Sequence, residues 1–144
     1  MGAVPQEPHN KRRLVKISEG PGTSPAPVDP LNFTGNATLS RMDGICDRPY
    51  INLYRVTFQS KARTAWHFHS GPQLLIVIEG LCLLQKEGEP IQELQAGGTA
   101  SIAPGEKHWH GASPGSPMTH LALNIDANTT WLSKVTESEY YGSN

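Results

Sequence analysis

The chain has 144 residues, is 37 % apolar and carries a formal net charge of −1, enough for one domain around a single core. That balance excludes the strongly basic footprint of a nucleic-acid or anionic-membrane binder, and no apolar run approaches the roughly 18 residues of a membrane span. The opening MGAVPQEPHNKRR lacks the apolar segment of a signal peptide, so a cytoplasmic protein with a small-molecule partner is expected.

Residues 1 to about 35 form a proline-rich arm. Half of the twelve prolines lie in its first 30 residues, and EGPGTSPAPVDP cannot be helical. RLVKI (13–17) is its one strand candidate, and Lys11-Arg12-Arg13 reads as a solvated basic patch. From 36 to 144 short strand patterns alternate with breaks: ATLSRM, INLYRVTFQ, TAWHFH, QLLIVIEG, LCLLQKEG, IQELQAG, TASIAP, KHWHGAS and MTHLALNI. KEGEP (86–90) is a hairpin turn by composition. Apart from a short helix in TESEYYG, with Thr136 capping and Glu139 three places on, no helical stripe is visible. The expectation is an all-β sandwich or barrel.

Cys82 lies in the apolar run LCLL and reads as a buried thiol, Cys46 in the loop-like DGICDRPY. Two cysteines make no disulfide framework, which fits a reducing compartment. The glycosylation-type triplets at Asn32, Asn36 and Asn128 are read as chance.

Five of the six histidines fall in strand patterns. Alternation puts His67 and His69 on one face, and His108 and His110 on another single face, with Trp66, Phe68 and Trp109 turned away. His120 shares a face with Met118, Ala122 and Asn124. If those faces line a barrel interior, the imidazoles converge, and so many buried rings need an organising partner. A divalent metal supplies one. Gln73, four residues after His69, is a further candidate donor; being neutral, it would leave the ion its full charge.

These residues resemble the two motifs of the cupin superfamily. The first reads His67, His69, Gln73 and Gly80, with glutamine in the acidic position. The second reads Gly97, Gly105 and His108, with Ala103 in the proline position, Pro104 one place later and Ala112 where asparagine is usual. Over roughly 61–140, ARTAWHFHSGPQLLIVIEG, PGEKHWHGASPGSPMTHLAL and KVTESEY resemble the small manganese cupins that include hydroxynitrile lyases. The resemblance implies a single-domain jelly-roll barrel and one divalent ion per chain on His67, His69, Gln73 and His108. Manganese is the implied ion, with iron, nickel and zinc as alternatives. It also implies that His120 is the general base. In such a reaction His110 or Lys107 would steady the departing anion, Lys107 otherwise reading as a solvated strand-end residue, and Tyr54, Val56 and Asn124, inward by alternation, would contact substrate. Tyr54 stands where such lyases carry a small residue, Asn124 where they carry glutamine, and Phe68 replaces a smaller residue. The implied reaction is reversible cleavage of a cyanohydrin to aldehyde and cyanide. The alternatives are an iron- or manganese-dependent dioxygenase and a binding cupin without turnover. A barrel with edge strands and an arm is expected to form a homodimer or homotetramer through residues before about 35.

Overall fold

The computed structural model describes residues 14–142, so His9 and the basic run at 11–13 lie outside the described residues. Two sheets face each other. One is ordered β1 (Ala26–Pro27), β3 (Ala37–Asp47), β4 (Tyr50–Phe58), β12 (Met118–Ile125), β7 (Gln73–Glu79), β10 (Thr99–Ile102). The other is ordered β13 (Thr129–Trp131), β6 (His67–His69), β11 (His108–Ala112), β5 (Arg63–Thr64), β2 (Phe33–Thr34), with β8 (Leu81–Lys86) on β11 and β9 (Gln92–Gln95) on β8. The fold is all-β.

Period-2 patterning decides which side chains enter the barrel. On β7, Gln73, Leu75 and Val77 are buried and their neighbours are not; on β12, His120, Ala122 and Asn124 face in. Phe33, Val56, Phe58, Val77, Cys82 and Met118 pack together as the apolar end of the interior. Cys46 and Cys82 are free thiols, and burial pushes the Cys82 thiol up to about 12. Strand β11 is buried along its whole length because its outer face is covered too. Trp109 is fully buried there against Tyr140, with ring centroids 5.8 Å apart, alongside Trp66, Leu83 and Val135. Each such side chain contributes about 1.5–3 kcal/mol of burial.

Tyr140 comes from α1 (Glu137–Tyr140), whose reciprocal Thr136–Glu139 capping box forms as its sequence predicts. The helix is held down by four bonds: Tyr140 Oη donates to the Ala112 carbonyl at 2.6 Å, Arg63 Nη2 to the Val135 carbonyl at 2.9 Å and to Glu137 at 3.2 Å, and Trp66 Nε1 to Glu139 at 3.3 Å. Gly80, the turn between β7 and β8, sits at φ 77°, and a Cβ there would run into the Pro117 carbonyl oxygen.

Several elements differ from the sequence expectation. TAWHFH is not one strand. It breaks at Ala65–Trp66, where Trp66 instead pairs through its backbone with Leu132 and Ser133. Strand β3 runs on through GIC, across a bulge after Met42 that Gly44 accommodates at φ 62°. Strand β13 and the two short strands β1 and β2 were not anticipated. The last two dock residues 26–34 on the barrel, with Phe33 buried at the core. RLVKI forms no strand in its described residues, and Leu14, Val15 and Ile17 are exposed. Alternation makes a strand only where another strand accepts its hydrogen bonds, and none of the described strands pairs with this segment.

Candidate metal centre and pocket

Each sheet contributes to one interior cluster. Strand β6 supplies His67 and His69 and β11 supplies His108 and His110, with His67 and His108 directly opposed across the ladder. From the facing sheet come Gln73 on β7 and His120 and Asn124 on β12, with Gln73 opposite Asn124. All seven side chains are buried. Ring centroids separate His67 from His108 by 4.2 Å, His67 from His69 by 5.0 Å and His69 from His108 by 5.4 Å.

The hydrogen bonds orient these rings. Nδ1 of His67 donates to the Ala65 carbonyl at 2.8 Å and Nδ1 of His108 to the Glu106 carbonyl at 2.8 Å. A carbonyl oxygen only accepts, so the proton sits on Nδ1 and Nε2 keeps its lone pair. His69 Nδ1 bonds Thr129 Oγ1 at 2.9 Å. Gln73 Nε2 donates to Asn124 Oδ1 at 2.7 Å, which turns the carboxamide so that Oε1 points elsewhere. Among the described residues, His69 Nε2, His108 Nε2 and Gln73 Oε1 are buried without a partner. Unpartnered buried polar atoms are costly, and this set, with the His69 proton on Nδ1 toward Thr129, fits a divalent ion that takes nitrogen and amide oxygen.

His110 is differently placed. Its Nδ1 lies 3.0 Å from His120 Nε2, and its own Nε2 and His120 Nδ1 are the unpartnered atoms of that pair. Thr64 Oγ1 accepts from the His110 backbone at 3.2 Å. The ligand-type nitrogens of His67, His108 and His110 lie within 4.8 Å of one another, so His110 adjoins the ligands that the resemblance implies. A bulge in β7 between the partners of Thr119 and His120 sets the depth of His120 in the barrel, where its ring meets Phe58 edge-on at 5.2 Å.

Burial is the first cause of every imidazole shift here. It brings His69 and His120 down to about 4, with the neighbouring His108 charge adding to the effect on His69. Burial and then His108 hold His67 well below the usual range, and burial and then His120 do the same for His110. Burial also lowers His108, opposed by the Glu106 carbonyl. The cluster is therefore neutral at pH 7, the form in which imidazole ligates or accepts a proton.

The cluster opens into a cavity of about 280 Å³ lined also by Tyr54, Val56, Phe58, Arg41 and Trp131. Tyr54, Val56 and Asn124 thus all reach the cavity. Lys107 does not: it pairs with Glu87 at 2.8 Å and lies over the outward-facing Trp66 ring. The strand end turns it to the outer face, opposite to His108, so it cannot serve a departing anion. Thr64 and Thr129, which fix His110 and His69, carried no sequence signal. Arg41 carried one, since alternation puts it on the face of Leu39, but nothing showed that this face met the cavity.

Two antiparallel sheets closed around inward-facing histidines define a small β-barrel whose buried histidine cluster could hold a metal ion. Residues 54–124 match the family model described as a cupin domain. The chain is 40 % identical over 111 residues to an (R)-mandelonitrile lyase from Granulicella tundricola, covering 75 % of this chain and 85 % of that protein. It is 33 % identical to the crystal structure of a cupin-like protein from Thermotoga maritima, with a TM-score of 0.77 over 82 % of this chain and 92 % of the other. The polyketide cyclase RemF of Streptomyces resistomycificus shares the fold at 22 % identity, with a TM-score of 0.55 over 72 % of this chain and 75 % of that one. The chain belongs to the cupin family.

Proposed function

We propose that the protein is a metal-dependent carbon–carbon lyase of hydroxynitrile-lyase type, with one divalent ion, manganese, held by His67, His69, Gln73 and His108. The observation that carries this reading is the set of unpartnered buried acceptors on His69, Gln73 and His108 beside a neutral histidine pair in the same cavity. The resemblance to a mandelonitrile lyase supports the choice of reaction. An ion on these neutral donors supplies Lewis acidity toward a substrate hydroxyl.

The chain's own residues do the rest. His120 takes the hydroxyl proton at Nδ1, while its Nε2–H donates to His110 Nδ1. That tautomer leaves a proton on His110 Nε2, which donates to the leaving anion. As the hydroxyl proton departs, the O–H electrons form the carbonyl, the C–CN bond breaks and cyanide leaves with its electron pair. Reversal joins cyanide, or another stabilised carbanion such as a nitronate, to an aldehyde. Tyr54, Val56 and Asn124 hold the substrate, and Asn124 also keeps Gln73 turned.

A second reading follows from the proximity of the His67, His108 and His110 nitrogens. If the proton between the two rings belongs to His110 Nδ1, His110 Nε2 becomes a ligand and His120 carries its remaining proton on Nδ1. The site then binds a metal without a base, as in a binding cupin or an oxygen-using one. Metal content of protein purified without added metal, followed by an aldehyde panel with cyanide and by oxygen uptake of the iron-loaded protein, separates these readings. Chiral cyanohydrin formation supports the lyase, and its absence with full metal occupancy refutes it. The protein is further proposed to act in the cytoplasm as a homodimer or homotetramer through residues before about 35. Among the described residues no helix is long and apolar enough to cross a membrane.

A further inference from the structure

One residue of the cavity wall carries a permanent charge. Of the residues lining it, none is Asp, Glu or Lys, and Arg41 is the single Arg. Leu39 and Arg41 enter the cavity side by side on β3 because they are two residues apart on one face. Arg41 lies opposite Tyr54 on β4, and Tyr54 opposite Ala122 on β12, between His120 and Asn124. Two strand spacings put the Arg41 backbone about 10 Å from the strand that carries the proposed base. The half-exposed Arg41 side chain lines the cavity at that remove from the base.

The Arg41 backbone is pinned by Thr23 through both its polar groups. Its N–H donates to Thr23 Oγ1 at 2.9 Å, and its carbonyl accepts from the Thr23 N–H at 3.0 Å. Gly22 lets this contact form: it adopts φ 90°, and a Cβ there would come within 2.5 Å of the Arg41 carbonyl oxygen. Among the described residues the guanidinium has one ion-pair partner, Asp43 at 3.1 Å through Nη2, and both side chains are about half exposed. Such a pair is weak, and it leaves N–H groups of the planar fork for a carboxylate that arrives from the cavity.

Resting on the lyase reading for the reacting end, we propose that Arg41 is the specificity residue of the pocket. It selects a substrate with a carboxylate at the end remote from its hydroxyl or carbonyl, an ω-carboxylated aldehyde or its adduct. The apolar Leu39, Val56 and Trp131 that line the same cavity suit a ring or short alkyl spacer. A carboxylate placed there gains a bidentate, charge-assisted bond in a cavity with no competing acid on its wall.

The test is calorimetric titration of the purified protein with 4-(hydroxymethyl)benzoate and its neutral counterpart 4-(hydroxymethyl)benzamide, at low and high salt. The remote carboxylate keeps the charge away from the donor cluster. The benzoate should bind about tenfold or more tighter, with the preference shrinking in salt. Arg41→Gln should erase the preference; Arg41→Lys should restore it in part. Equal binding of the two probes, or a preference that survives in Arg41→Gln, overturns the proposal. Rates of cyanide addition to 4-formylbenzoate and benzaldehyde separate the two ideas. Turnover of both at equal efficiency, with equal probe binding, removes the role of Arg41 and keeps the lyase. A binding preference without turnover of any aldehyde removes the lyase and keeps Arg41.

Discussion

Replacing His120 tests the division of labour in the cluster. Its ring is fully buried, bonded to His110 at 3.0 Å and packed on Phe58. His120→Ala leaves His110 Nδ1 without a partner, at about 1–3 kcal/mol, and opens a cavity that adds a similar amount. The sum is a large part of the roughly 5–15 kcal/mol that holds a domain together, so lost activity in that variant alone would be ambiguous. His120→Gln avoids the problem. A carboxamide can reach the position of Nε2 and keep the bond to His110, but it cannot accept a proton near neutral pH. Its expected cost in stability is below about 1.5 kcal/mol, its metal content should be unchanged, and cyanohydrin turnover should fall about 10²–10⁴-fold. Thermal melts, elemental analysis and a chiral chromatographic rate assay with benzaldehyde and cyanide read the three quantities. Loss of the metal in His120→Gln would make His120 a ligand, and unchanged turnover would send the proton elsewhere, with His110 and Tyr54 next. Either result refutes the assignment.

His108→Ala should lose most of the metal by elemental analysis, because it removes the donor that β11 sets opposite His67; wild-type content would refute the ligand set. His110→Ala should keep the metal if His110 serves His120, and lose it under the three-histidine alternative. Acid should unfold the metal-free protein early. For His69 and His120 the fall from 6.5 to about 4 corresponds to about 3 kcal/mol each. The unfolded chain takes up these protons first, so this stability is whole above pH 6.5, drains as pH falls toward 4 and is then flat. A denaturation midpoint that stays constant from pH 7 to 4.5 would contradict it. Tyr140→Phe leaves the buried Ala112 carbonyl without its 2.6 Å donor and should cost about 1–3 kcal/mol in urea denaturation. Light scattering should show an assembly larger than the 15.7 kDa chain, and a monomer at working concentration would exclude the dimer or tetramer.

Whatever repeats within a few residues is legible in the chain alone. The inward direction of His67, His69, His108, His110 and His120 follows from a period of two, as do those of Tyr54, Val56 and Asn124, and Thr136 and Glu139 announce their capping box three places apart. Turn chemistry likewise marked most strand limits. The rest depends on residues far apart in the chain, where period two is silent. The contact of His110 with His120 is set by the facing of two sheets and by a bulge in β7. Thr129 meets His69 across 60 residues, and Thr23 meets the Arg41 backbone across 18. The break at Ala65–Trp66 and the burial of both faces of β11 depend on the C-terminal segment closing over the outer wall. Local pattern chooses a face, but only the register between strands chooses which faces meet, and register is a property of the assembled sheets.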